Sequence, residues 1–200
     1  MNSHTPNNVD FTRSSDNFSE GLLRINTLNQ ALKKEFGEKV VKLSIDAGFT
    51  CPNRDGSKGF GGCTFCSASG SGDNASSIDE QIALLSEKWP NAKYIAYFQN
   101  YSGTYAPVSK LRELYYGALD DPRILGLAIA TRSDCIDDDC LALLDEINKK
   151  HFLWVELGLQ TIHEDSAKKL NLCHSLQDYD ETISKLNAHN IRTVTHLILG

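Results

Sequence analysis

The chain has 200 residues, 40% of them hydrophobic and 23% charged, with a formal net charge of −6. That suffices for one domain with a substantial core. The acidic balance gives no overall basic surface for nucleic acid, leaving only a local basic groove, and no run of about 18 apolar residues marks a membrane span.

The first residues, "MNSHTPNNVDFTRSSDNFSE", are polar and short of large apolar side chains. They lack a basic-then-apolar signal pattern. Residues 1–20 are therefore expected to be a disordered tail, and residues 21–200 the core domain. The expected compartment is the cytoplasm. There the six cysteines belong to a metal site or a core rather than to disulfides.

From residue 40, apolar strand-like runs alternate with amphipathic helical ones. The runs are "VVKLSIDAGF" (40–49), "KYIAYFQN" (93–100), "ILGLAIATR" (124–132), "FLWVELGLQ" (152–160) and "RTVTHLILG" (192–200). Near-continuous apolar runs predict strands buried on both faces. Between them, Ser77 and Glu80 have capping-box spacing, and Ile78, Ile82, Leu85 and Trp89 then share one face. Pro107 suits a first helical turn. "DDDCLALLDEINKK" places acids first and lysines last, as the helix dipole prefers. Leu176, Tyr179, Ile183 and Leu186 carry a further helical stripe. The series predicts βαβ units and a parallel sheet. Polar residues at the strand ends (Gln99, Asn100, Thr131, Arg132, Glu156, Gln160) favour a barrel, whose sites lie on that rim, over a doubly wound sheet. Because "HLILG" would leave an apolar edge unpaired, a longer protein with a sixth strand is expected.

Cys51, Cys63 and Cys66 fall on "DAGFTCPNRDGSKGFGGCTFC" (46–66). Thiolates choose zinc, copper or iron–sulfur clusters. A structural zinc site takes four protein ligands, and no fourth Cys or His lies between Cys51 and Cys66. Cys135 is the one candidate for a remote fourth ligand, while Cys140 and Cys173 look like helix-face or helix-start residues. Three ligands make sense where one coordination position stays open, as in a [4Fe–4S] cluster with one iron left for a substrate or cofactor. Gly56, Gly59, Gly61 and Gly62 let the backbone wrap a bulky inorganic core.

This loop resembles the radical S-adenosylmethionine (SAM) superfamily, whose usual signature is C-x3-C-x2-C with an aromatic before the last Cys. "CTFC" matches its second half. The eleven-residue first gap resembles the branch related to the Elongator catalytic subunit and coproporphyrinogen dehydrogenase. The whole loop is most similar to a bacterial group of Elongator-like proteins. "AYFQNYSGTYAP" (96–107) occupies the place of the Gly-Gly-Glu-like motif. "IATRSDCID" (129–137) resembles "TRPD", with Ser133 for Pro, and "VELGLQT" (155–161) resembles "ELGxQS", with Thr161 for Ser.

The resemblance implies a partial (β/α)6 TIM-like barrel, here ending after about the fifth strand. It implies a [4Fe–4S] cluster on Cys51, Cys63 and Cys66, and SAM held by Phe65, Gln99, Asn100, Thr104, Arg132, Glu156 and Gln160. It further implies reductive cleavage of SAM to a 5′-deoxyadenosyl radical and an electron donor such as flavodoxin or ferredoxin. For the branch it suggests modification of wobble uridine in tRNA. A small-molecule or porphyrin-like substrate and a non-catalytic zinc module are the alternatives. More ordinary roles stand beside these assignments. Arg132 and Glu156 could form an ion pair, Gln160 could serve strand-end backbone, Tyr97, Tyr101 and Tyr105 could be packing residues, His196 a core histidine, and Asp46 a brace for the loop.

Overall fold

The computed structural model describes residues 25–70 and 72–199; the expected N-terminal tail lies outside them. The elements in chain order are α1 (Leu28–Phe36), β1 (Val40–Ile45), α2 (Ile78–Ser86), β2 (Lys93–Phe98), α3 (Val108–Leu119) and β3 (Ile124–Thr131). After a 3-10 turn at Ser133–Cys135 come α4 (Asp138–Asn148), β4 (Phe152–Gln160), α5 (Glu164–Lys169), α6 (Leu176–Ala188) and β5 (Arg192–Leu197).

The five strands form one sheet in the order β1-β2-β3-β4-β5, and every neighbouring pair is parallel. A doubly wound sheet would reverse its strand order at a switch point. Sequential order is that of a barrel, and the sheet is an open arc of one. The registers, Ile45 opposite Phe98, Phe98 opposite Ile129 and Thr131 opposite Leu157, bring the carboxyl ends of β1 to β4 to one rim.

Alternation along the strands makes two faces. Leu43, Tyr94, Ala96, Phe98, Leu127, Ile129, Leu153, Val155 and Leu157 pack outward in one core with Leu111, Tyr115, Leu143, Leu144 and Ile147 of α3 and α4. The inner face carries Val40, Ile95, Tyr97, Ala128 and Trp154, packed with Leu32 and Phe36 of α1. Helix α1 thus closes the amino end of the arc.

Ser77, Ser175 and Thr27 each form complete capping boxes, with Glu80, Asp178 and Gln30 respectively. Asp137 caps α4. Pro107 is the residue before α3 rather than part of its first turn. Strand β5 departs from the expected burial on both faces: α6 reaches it through the Tyr179 hydroxyl, which meets Thr195 Oγ1 at 2.6 Å, yet Val194, Leu197, Ile198 and Leu199 are exposed. Cys173 does not start a helix. It is exposed, at φ 54°, in the turn before Ser175. Among the described residues no helix is long and apolar enough to cross a membrane.

Candidate active site

The loop after β1 is built from short local turns. The Asp46 carboxylate accepts from the Gly48 N–H at 3.0 Å, the bracing role open to it from sequence. Arg54 N–H donates to the Cys51 carbonyl at 2.8 Å and Cys66 N–H to the Cys63 carbonyl at 3.0 Å. Gly62 has φ 77°, and a Cβ there would lie 2.7 Å from Arg54 Nε. Glycine adopts that conformation without strain and leaves the arginine its room. The Arg54 guanidinium binds the Ala68 carbonyl at 3.2 Å and lies over the Tyr101 ring. Two tyrosines for which packing was one possible role fasten this loop: Tyr101 hydroxyl donates to the Ala68 carbonyl at 2.7 Å, and Tyr105 hydroxyl meets Ser57 at 2.7 Å.

A second tether comes from residues 170–173. Thr64 N–H donates to the Leu170 carbonyl at 3.1 Å. Asn171 donates its side-chain amide to the carbonyls of Gly62 and Phe60 at 2.8 and 3.3 Å. Lys58, on the loop, pairs with Asp134 at 2.7 Å, and Asp134 pairs with Arg132 at 2.8 Å. Arg132 completes its contacts on the carbonyls of Leu172 and Cys173, at 2.8 and 3.0 Å. Burial opposes ionisation of Asp134, but Arg132 and Lys58 outweigh it and hold the carboxyl at about 2.

Cys51, Cys63 and Cys66 line one cavity together with Phe65, Gln99, Arg132, Glu156 and Gln160. Eight of the ten residues singled out by sequence thus meet in one place. The other two do not line it. Asn100 is buried against Gly72, and Thr104 is buried with its hydroxyl on Thr131 and the Cys135 carbonyl, both at 2.6 Å. Cys135, the candidate fourth zinc ligand, is also off the cavity, its thiol pushed up to about 12 chiefly by burial. Among the described residues, no three His, Cys, Asp or Glu side chains converge on a single ion. A lone zinc would need all its sulfur ligands within about 2.3 Å of one point. A cluster has several irons and does not impose that convergence. The three half-buried thiols, all lining one cavity, fit such a group.

Below the thiols, Glu156 holds a network that sequence reading missed. Its Oε1 accepts from Lys42 at 2.5 Å and Trp154 at 2.7 Å. Its Oε2 accepts from Tyr97 at 2.8 Å and faces His196 Nε2 at 2.9 Å. These four partners use the roughly four acceptor positions of a carboxylate, so Glu156 has none left for a ribose hydroxyl. Burial pushes its carboxyl up, yet His196, Lys42 and Trp154 outweigh burial and hold it at about 2. The Arg132–Glu156 ion pair is not formed. His196 is not a core residue either: it is 44% exposed and lines the cavity. The signal lay in the period of two, since Lys42, Tyr97, Trp154, Glu156 and His196 all occupy inner-face positions of their strands.

Gln160 ends β4 at φ 64° and Tyr101 follows β2 at φ 58°. Both line the cavity. Left-handed backbone at non-glycine residues costs of order 1–3 kcal/mol and gathers at functional sites. Gly158 leaves space for the Gln160 amide, which a Cβ there would meet at 2.6 Å.

A cysteine-lined cavity at the carboxyl rim of a sequential parallel arc is the arrangement of radical SAM proteins. The chain belongs to the radical SAM superfamily, which it matches over residues 50–200. It is 46% identical over 185 residues to the uncharacterized protein YtqA of Bacillus subtilis (strain 168), covering 88% of this chain and 58% of that one. It is 40% identical over 181 residues to protein YhcC of Escherichia coli (strain K12), covering 88% and 59% respectively. The chain thus spans less than two thirds of the relatives' length. Membership in the superfamily implies a [4Fe–4S] cluster and SAM as cofactors.

Proposed function

We propose that the protein is a SAM-dependent radical enzyme of the Elongator-like group, acting on wobble uridine in tRNA. The observation that carries the first part is the meeting of Cys51, Cys63 and Cys66 with Gln99, Arg132 and Gln160 on one cavity. A [4Fe–4S] cluster with SAM supplies a 5′-deoxyadenosyl radical once an electron arrives from a flavodoxin- or ferredoxin-like donor; that chemistry is the cofactor's. The three cysteines hold the cluster. Phe65 lines the same cavity and would pack on the bound cofactors, and Gln99 and Gln160 would present amides to SAM. Arg132 is mainly a positioning residue, because its guanidinium already joins Asp134 to the 170–173 segment. Glu156 acts through His196, whose Nδ1 is left for a ligand. The eleven-residue gap and the "VELGLQT" stretch support the Elongator-like assignment, and the cytoplasm is the compartment it would work in.

A small-molecule substrate is the second reading, favoured by the net charge of −6, which counts against a broad phosphate footprint. Anaerobic reconstitution with iron and sulfide tests the first step: brown protein should form 5′-deoxyadenosine from SAM after reduction. Tight stoichiometric zinc without SAM cleavage would sink this reading. Comparing tRNA nucleosides from cells with and without the gene separates the substrates. A missing modified uridine is expected, and an unchanged profile favours the small molecule.

A further inference from the structure

Asn53, two residues beyond Cys51, is completely buried. Its amide donates to the Asn171 carbonyl at 2.5 Å and to the Cys63 sulfur at 3.6 Å. A carbonyl can only accept, so the short contact with Asn171 fixes which end of the amide faces Cys63. The other end, Oδ1, is buried without a partner. A Cβ on Gly59 would lie 2.3 Å from that oxygen and 2.9 Å from the Cys173 sulfur, so the absence of a side chain at Gly59 admits the amide. A leucine at position 53 would fill space without stranding an acceptor. What the asparagine adds is a second N–H, and that N–H points at a cluster cysteine.

We infer that Asn53 is a positioning residue that sets the cluster's reduction potential, by donating a hydrogen bond to the Cys63 sulfur while Asn171 holds it in place. The inference rests on the cluster reading above. Reduction adds negative charge to a cluster and its sulfurs. A donor aimed at one sulfur stabilises the reduced form more than the oxidised form, and so raises the potential. Asn171 is suited to the holding role. It keeps a left-handed φ of 54°, and its own amide is fixed on Gly62 and Phe60.

The test uses the full-length protein, reconstituted anaerobically, with iron and sulfide content measured first. In Asn53→Asp the carboxyl has at most one hydrogen, which the Asn171 carbonyl takes, so the sulfur loses its donor. Potentiometric titration followed by electron paramagnetic resonance should show a lower potential at equal iron and sulfide content. An unchanged potential with a full cluster overturns the inference. Asn171→Gly keeps the left-handed backbone and the carbonyl that holds Asn53 while removing the side-chain tethers, and its potential should fall clearly less than that of Asn53→Asp. An equal fall there would assign the effect to the loop and overturn the role of Asn53. Should Asn53→Asp hold no cluster, pulsed resonance on the unaltered protein with 15N-labelled asparagine decides. A coupled 15N at the reduced cluster is expected, and none overturns the inference. Failure of the unaltered protein to bind iron and sulfide at all would instead refute the cluster reading.

Discussion

Cys63 shows how one side chain is balanced between opposing causes. Its thiol is raised by sharing a hydrogen bond with Cys66 and by burial, while Asn53 and Arg132 act the other way. The protein thus holds a proton there unless a metal displaces it. Replacing Cys63 with alanine should abolish iron binding yet shift the apo-protein's melting temperature by only a few degrees, because the loop lies outside the sheet's core. Iron analysis and circular dichroism check this, and a variant that unfolds would make the metal structural. That the three thiols share one loop was legible in sequence, because their types and spacing are local. The Glu156 network was not, because its members come from β1, β2, β4 and β5 and meet only once the registers are set. Asn100 and Thr104 show the converse: motif spacing placed them near the cavity, and side-chain direction took them away from it.

At the level of elements, strands were read well and two helices were missed. The α1 signal was present, since Thr27 and Gln30 have capping-box spacing and Gly37 stands at the left-handed position after the helix. Helix α5 has only six residues, too few for a periodic stripe to show. Strand β5 read as buried because composition reports what a segment can bury, not which neighbour covers it. Caps are where sequence and structure agree most directly. Ser175→Ala removes the cap of α6, the helix that follows the 170–173 segment, and should cost about 1 kcal/mol. Urea unfolding should show a lower midpoint with an unchanged slope.

Across the whole molecule, two buried carboxylates make it acid-sensitive: Glu156 ties β1, β2 and β5 to β4, and Asp134 ties the cysteine loop to Arg132. Glu156 and Asp134 sit at about 2 in the fold, below their ordinary values of 4.5 and 3.8. The unfolded chain therefore takes up their protons first. The stabilisation, roughly 2 to 3.5 kcal/mol each, is fully present above about pH 4.5 and is lost as pH falls towards 2. Urea midpoints should drop over that window, and Asp134→Asn should flatten part of the slope. A midpoint independent of pH between 5 and 3 would contradict the network.

The tether from residues 170–173 also bears on how the protein is made. The three cysteines leave the ribosome more than one hundred residues before Asn171. Until β4 and α5 have followed them, Asn53 has no carbonyl to hold it and Thr64 has none to bond. Iron delivered early would meet thiols on an untethered loop. If these cysteines hold the proposed cluster, metal loading is expected after the arc has assembled, when a carrier handing over a finished cluster would meet a receptacle already shaped for it.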